Sequence, residues 1–307
     1  MAGLDCLVFA PFGLEAARLL HAGEKAAARV VLHAADAPAL DAALQRAAQS
    51  RATRFGLHLA TAELALNLAS RDLPAASVVI LPLSAVASAQ QPLRKLREVG
   101  VTVLAEAIRW DDDASAAVGL VDGFVLKGHE CGGLVHEQTT FVLLQEFRRK
   151  TDLPLYPRGG ITPETAAAAT LAGARGVVLD DQILLLAESG LTDAQTRRRL
   201  QGLSGNETLQ VEGPGNGLYL HGFDKPGSKQ AEAIAARIRA AADPAREMAA
   251  VAAEFSWAEG RVAPAGMGLA LAAPLARRYR TLGRLIGAIR RSVDTLPVAA
   301  AARAALA

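Results

Sequence analysis

Residues Leu153 to Gln182 read LPLYPRGGITPETAAAATLAGARGVVLDDQ, a complete strand–turn–helix–turn–strand unit. Pro154–Pro157 and Gly176–Leu179 are short apolar runs bounded by Gly, Pro or charge, as expected of parallel strands buried on both faces. Between them, Thr162 is placed to cap a helix over Pro163–Ala172, with Pro163 at its first position and Gly173 where it should stop. Gly159-Gly160 follows the first run and Asp180-Asp181-Gln182 the second, so both strands end in turns suited to a polar ligand.

The same rhythm extends back to the N-terminus. Apolar runs at Cys6–Phe9, Arg29–Ala34, Arg54–Leu59, Ser77–Leu83, Val101–Ala107 and Gly123–Lys127 precede these two, which makes eight. Helix-compatible segments lie between them, the clearest being Asp36–Gln49, Thr61–Ser70, Gln91–Val99 and Gln138–Lys150. Asp36 stands before Pro38 as a start signal, and Gly100 stands at a helix end. Strands alternating with helices imply a parallel sheet, and eight of them favour closure into an α/β (β/α)8 TIM barrel over residues 1–190. An open doubly wound sheet is the alternative.

After Gly190 the pattern changes. A Gly-, Pro- and Asn-rich excursion with hairpin character around Leu209–Val211 and Leu218–Leu220 leads into Ala/Arg-rich helices at Lys229–Ala242, Ala245–Phe255, Leu269–Tyr279 and Leu282–Ser292. Residues 191–307 therefore read as a mainly helical cap or lid, with an Ala-rich tail from Pro297 expected to be disordered. The start at strand one and this tail hint at a domain excised from a longer chain.

About half of the 307 residues are hydrophobic but only 4% are aromatic, so the core must be built from Ala, Val and Leu. The net charge of +2 is spread along the chain, without the basic–aromatic interleaving of a nucleic-acid surface. Arg277, Arg278, Arg280 and Arg284 read as the solvated face of a terminal helix. Cys6 and Cys131 form no disulfide framework and suggest a reducing compartment. No secretory signal or membrane-length apolar run is apparent, so a soluble, cytoplasmic protein is expected. No spacing of His, Cys or carboxylates suggests a metal site, and Asp111-Asp112-Asp113 reads as a solvated helix start.

Barrel active sites form at the carboxyl ends of the strands. Three neighbouring strands here end in Gly128-His129-Glu130-Cys131-Gly132-Gly133, Arg158-Gly159-Gly160 and Asp180-Asp181-Gln182. Glycine lets backbone N–H groups approach an anion closely, and the helix starting at Pro163 adds a positive dipole end, so a phosphate site is expected there. The bland reading of each pair alone is a tight βα turn. Glu130 reads as a loop stabiliser before a ribose contact, Cys131 as structural before reactive, and His33 as a polar rim residue.

The run VDGFVLKGHECGG at 121–133, with the 153–182 stretch, resembles the nitronate monooxygenase (2-nitropropane dioxygenase-like) FMN barrels, a family that includes flavin-dependent enoyl reductases. The likeness is greatest to barrel domains associated with polyketide and polyunsaturated fatty acid synthases. It extends to VFAPFG at 8–13, FGLHL at 55–59, VLAEA at 103–107, EQTTFVLLQ at 137–145 and GLALAAPLARRYRTLGRLIGAIR at 268–290. The resemblance implies FMN as cofactor and NAD(P)H as reductant. It puts Ala10, Pro11 and Phe12 along the flavin ring and His58 near it. It also puts Lys127 against the isoalloxazine, and Gly132, Gly133, Gly159, Gly160 and the Asp180, Asp181, Gln182 turn on the ribityl chain and phosphate.

The sequence departs from the family where a His commonly follows the Gly pair, since this chain has Leu134. It has Met267 where a Gly-Gln-type turn is usual. Without the imidazole at 134, hydride transfer to an enoyl thioester on an acyl carrier protein suits the chain better than oxidation of alkyl nitronates with O2, and His129 becomes the candidate acid. The resemblance further implies acyl carrier protein or other synthase domains as partners, with a homodimer as an option. A third possibility is a non-catalytic scaffold barrel within a multienzyme.

Overall fold

In a computed structural model, the chain is described over residues 4–71, 76–204, 207–213, 215, 217–224, 230–258 and 261–296. Eight parallel strands close a barrel in the order β1 (Asp5–Phe9), β2 (Arg29–Ala34), β3 (Phe55–Leu59), β4 (Ala76–Pro82), β5 (Thr102–Ala107), β6 (Gly123–Lys127), β8 (Leu155–Arg158) and β9 (Gly176–Leu179). β9 pairs back onto β1 through Leu7 and Val178. A second, antiparallel sheet joins β10 (Leu209–Glu212), β11 (Leu218–Gly222) and β7 (Gly133–His136).

The barrel forms because each strand buries both of its faces. Leu7, Phe9, Val31, Val78, Ile80, Leu104, Val125, Tyr156 and Val178 fill the interior. The alternate residues, such as Cys6, Val8, Val79, Val103 and Phe124, pack outward against the helices. Those helices start on side-chain caps: Asp36 Oδ1 accepts from the Ala39 N–H, and Thr162 and Thr165 form a reciprocal capping box before Pro163–Leu171. Asp111 Oδ1 caps Asp112–Ala117 by accepting from the Ala114 N–H, so the Asp triplet is a helix start.

Two expectations about the second half need correction. The helix Leu282–Asp294, assigned to the cap, packs between the helices Pro163–Leu171 and Ala17–Lys25, with Leu285, Ile286, Ile289 and Val293 in the main barrel core. Arg290 donates to the carbonyls of Ala26 and Ala27 at the end of Ala17–Lys25. This is the eighth helix of the ring, delayed by a long excursion after β9. The second correction concerns the start of the cap, which does not wait until residue 191. β7 leaves the barrel directly after Gly132 and pairs with β11, and this sheet packs with the helices Gln230–Ala240 and Pro244–Glu254 around Val211, Leu220, Ile238, Met248, Val251 and Phe255. A short strand following a glycine-rich turn carries too little apolar pattern to stand out from sequence. The Ala-rich tail lies outside the described residues.

Because Ile289 belongs to the barrel core, Ile289→Ala should cost about 2–5 kcal/mol and lower the one cooperative unfolding transition of the barrel. Thermal unfolding followed by near- and far-UV circular dichroism checks this. An unchanged barrel transition alongside a separately melting segment would restore the lid assignment.

Candidate active site at the barrel mouth

The carboxyl ends of the strands carry a cluster of charged and imidazole side chains in an otherwise aliphatic barrel. Arg158, the last residue of β8, reaches across the mouth. It donates to Glu106 Oε2 of β5 at 2.5 Å and to Asp180 Oδ2 after β9 at 2.9 Å. Its guanidinium also stacks on the Phe9 ring of β1, 4.1 Å from the centroid. Lys127 Nζ at the end of β6 lies 3.9 Å from Glu106 Oε1, and His58 Nε2 at the end of β3 lies 3.7 Å from it. His33 of β2 meets His58 with their Nδ1 atoms 2.8 Å apart.

The electrostatics follow from this packing. Burial alone would raise the Glu106 carboxyl, but Arg158, Lys127 and His58 outweigh it and hold the group well below the usual carboxylate range. Burial likewise disfavours the Arg158 charge, yet Glu106 and Asp180 hold the guanidinium above its ordinary range. His33 is pushed down to about 3 by burial and then by His58, so its ring is neutral. Asp181 goes the other way: burial and the Asp180 charge hold it well above the carboxylate range. Its Oδ2 accepts from the Gly266 N–H at 3.0 Å.

The three glycine-rich or acidic turns do meet, around residues 264–268 of the long excursion. A methyl group on Gly132 would overlap the backbone of Pro264 and Ala265, and one on Gly266 would overlap the backbone of Glu130 and Cys131. The Gly268 N–H donates to Glu130 O at 3.0 Å. Gly160 has φ +65°, and the nearest heavy atom to an added Cβ is Glu130 Cγ at 3.9 Å, so its outer side is open. Among the described residues, the N–H group of Gly160 has no hydrogen-bond partner. The β1 turn is bound to the excursion as well, since Phe12 O accepts from the Trp257 N–H and Ser256 Oγ. Ala10, Pro11 and Phe12 line the rim, half-buried.

Several residues of these turns have structural duties, as the sequence reading favoured for Glu130 and Cys131. Glu130 Oε2 accepts from the N–H and Oγ1 of Thr140 and so caps the helix Thr140–Arg148. Gly132 serves close packing. The Gln182 side chain accepts from the Asp180 N–H and donates to Ile161 O, tying two turns together. Cys131 is buried, its thiol bonded to Arg158 O and held well above its usual range by burial and then Asp180, which makes it a packing residue. His129, the candidate acid, has Nδ1 on the His136 carbonyl at 3.0 Å and packs edge-on against Tyr219 and His221 of β11. Lys127, His58, Gly133 and Gly160 remain at the mouth, and Asp180 is there as the partner of Arg158.

Sequence reasoning passed over Glu106, Arg158 and His221 as functional residues. A carboxylate one residue before the end of one buried strand, in VLAEA, and a guanidinium at the end of another, in YPR, were the available signal, because a charge there has only the barrel mouth to occupy. His221 had no such signal, since its burial depends on the pairing of β11 with β7. It is fully buried, with Nδ1 on Cys131 O at 3.1 Å and Nε2 unpartnered. Among the described residues no group of three or more His, Cys, Asp or Glu could hold a metal ion, and no helix is long and apolar enough to cross a membrane.

No family model matches the sequence, and no curated protein matches it. Solved structures share its fold over nearly the whole chain. FabK from Thermotoga maritima is 18% identical, with a TM-score of 0.72, covering 99% of this chain and 96% of that one. A nitroalkane oxidase from Streptomyces ansochromogenes is 20% identical, with a TM-score of 0.61 and coverage of 98% and 97%. The enoyl reductase domain of MlnA, from the macrolactin biosynthesis cluster of Bacillus amyloliquefaciens, is 11% identical, with a TM-score of 0.58 and coverage of 98% and 97%. At these identities the likeness establishes the fold, cap included, and it agrees with the resemblance drawn from the motifs.

Two predictions follow from the packing of the mouth. Gly266→Ala should destabilise the protein by more than about 2 kcal/mol, since backbone must move to admit the methyl, and a melting temperature within a degree of the parent would contradict this. His221 is held down to about 4 by burial and then His129. Between pH ~6.5 and that value the unfolded chain binds a proton that the folded chain refuses, so this residue weakens the fold as pH drops. The stability difference between parent and His221→Gln should therefore shift toward the variant by up to about 1.4 kcal/mol per pH unit on acidification through that window. Urea unfolding at pH 7, 6 and 5 measures it, and a pH-independent difference would refute the assignment.

Proposed function

We propose that this chain is an FMN-dependent oxidoreductase, specifically an enoyl reductase that acts on enoyl thioesters carried by an acyl carrier protein in polyketide or polyunsaturated lipid synthesis, with NAD(P)H as reductant. The observation that carries the proposal is the unpartnered N–H group of Gly160, on an open left-handed turn beside the barrel mouth. Its neighbours suit an anion: Arg158 precedes the turn and the capped helix Pro163–Leu171 follows it. The resemblance of the surrounding motifs supplies the identity of the ligand.

The residues present fit FMN. Gly160, on the turn it shares with Gly159, would hold the phosphate through its N–H group. Asp180 and Asp181 do not present two free charges to it, because Asp180 is neutralised by Arg158 and burial favours a protonated Asp181. The backbone at Ala10–Phe12, the His58 imidazole and Lys127 beside Gly133 would lie near the ring. When bound, FMN supplies a two-electron carrier able to take hydride from NAD(P)H and pass it to the β-carbon of an enoyl thioester. Lys127 would favour an anionic reduced ring, and the half-buried aromatic and apolar rim at Phe12 and Leu134 would limit water. Leu134 offers no proton acceptor, which sets the nitronate reading second.

The purified protein is expected to show a flavin absorption spectrum, to be bleached anaerobically by NADPH or NADH, and to recover its colour with a crotonyl-type thioester. A colourless protein that takes up no added FMN would overturn the reading in favour of a scaffold barrel. Gly160→Asp should weaken FMN binding at least about tenfold, or about 1.4 kcal/mol, while Gly160→Asn, with the same shape and tolerance of a left-handed turn, should weaken it less. Equal affinities for the two variants would contradict phosphate binding at this turn.

A further inference from the structure

The mouth contains a connected set of proton-carrying atoms to which the preceding reading gives no proton-transfer role. His33 is the next-to-last residue of β2 and His58 that of β3, in register with one another, and their rings stack with centroids 4.9 Å apart. Their Nδ1 atoms are 2.8 Å apart, so one ring must donate to the other. The far nitrogen of His58, Nε2, is buried without a hydrogen-bond partner and faces Glu106 Oε1 at 3.7 Å. Glu106 is in turn fixed by Arg158 Nη1 at 2.5 Å and approached by Lys127 Nζ at 3.9 Å. The tautomer follows from these contacts. A proton on His58 Nε2 points at a carboxylate, whereas a lone pair there would confront it, so Nε2 carries the proton. In the neutral pair His58 Nδ1 must then accept, and His33 Nδ1 donates. That leaves His33 Nε2 as a lone pair on a half-buried ring whose edge meets Phe12 at the rim.

We propose that Glu106, His58 and His33 form a proton relay in which His33 Nε2 exchanges a proton with the ligand at the barrel mouth. Before delivery, His58 is the imidazolium, held against the Glu106 carboxylate, and donates through Nδ1 to a neutral His33 that carries its proton on Nε2. On delivery the His33 Nε2–H bond breaks and its proton forms the new C–H bond at the α-carbon of the thioester. At the same time His58 Nδ1–H passes its proton to His33 Nδ1, so the electron pair left on His33 Nε2 becomes the outward lone pair. Positive charge leaves His58, and one negative charge on the ligand is neutralised. Water later returns the proton by the reverse path. His33 conveys protons without storing charge, consistent with its burial and with the positive groups around it. The charged and titratable groups facing the pair are Glu106 on β5, Lys127 on β6 and Arg158 on β8, with Asp180 after β9 bound to Arg158. Phe9 and Phe12 from the β1 side complete the surroundings.

The relay rests on the proposed reduction of an enoyl thioester, and its test separates the two. In the ligand-free protein labelled with 15N-histidine, NMR should show His33 and His58 sharing a proton between their Nδ1 atoms, lost in His33→Gln. In the flavin-loaded protein, His33→Gln should bind FMN and be reduced by NADPH like the parent, but reoxidation by the enoyl thioester should slow at least tenfold and lose its fall toward high pH and its solvent isotope effect. If the parent binds no FMN, the enzyme reading fails whatever the NMR shows. If FMN binds and is reduced but the reoxidation rate and pH profile of His33→Gln match the parent, or the two Nδ1 atoms share no proton, the relay is overturned while the enzyme reading stands.

Discussion

The mouth of this barrel is organised by one buried cation. Arg158 joins Glu106 of β5 to Asp180 after β9 and lies on the Phe9 ring of β1, so a single side chain spans strands that are not neighbours in the barrel. A buried ion pair carries a heavy desolvation cost, and removing one partner leaves a charge stranded at a cost of about 3–5 kcal/mol. The other features of the mouth depend on its being satisfied. With Arg158 in place, Glu106 is ionised and can orient His58, and Asp180 is neutralised beside the turn that carries Gly160. The Arg158 carbonyl accepts from Cys131 Sγ and Thr140 Oγ1, which ties the β6 and β8 loops together.

A second constraint is close backbone contact. The excursion between β9 and the last helix passes its 264–268 segment against the β6 turn at Gly132 and the β9 turn at Asp181. The cap is thus bonded to the same turns that would hold a cofactor, and β7 carries the β6 turn directly into the cap sheet. Binding at the mouth and packing of the cap share their backbone, which explains why so many glycines collect there without all of them touching a ligand.

Most of the barrel was legible in the sequence because its signals are local. Parallel strands buried on both faces leave uninterrupted apolar runs, and Thr162-Pro163, Asp36 and Gly173 mark helix ends through short-range bonds. The delayed eighth helix was not legible, since Leu282–Asp294 has the same amphipathic pattern whether it packs on a barrel or on a cap. At the site, the glycine turns were readable as places where the backbone must come close, but not what comes close. At Gly132 it is Pro264 and Ala265, more than a hundred residues away in sequence. Glu130 was readable as a loop stabiliser, but the role of Gln182 was hidden for the same reason, because an amide that ties two turns together and one that meets a phosphate look alike in one dimension. The His33–His58 contact needed the register of β2 on β3.

A double-mutant cycle between Arg158 and Glu106, using Arg158→Met, Glu106→Gln and the double variant in denaturant unfolding at neutral pH, tests the account most directly. If the guanidinium and the carboxylate are the buried pair that organises the mouth, each single change is costly and the double change costs less than their sum, with a coupling energy of about 1–3 kcal/mol. Strictly additive losses would mean that the two side chains do not sense each other, and the charge network described for the mouth would have to be abandoned.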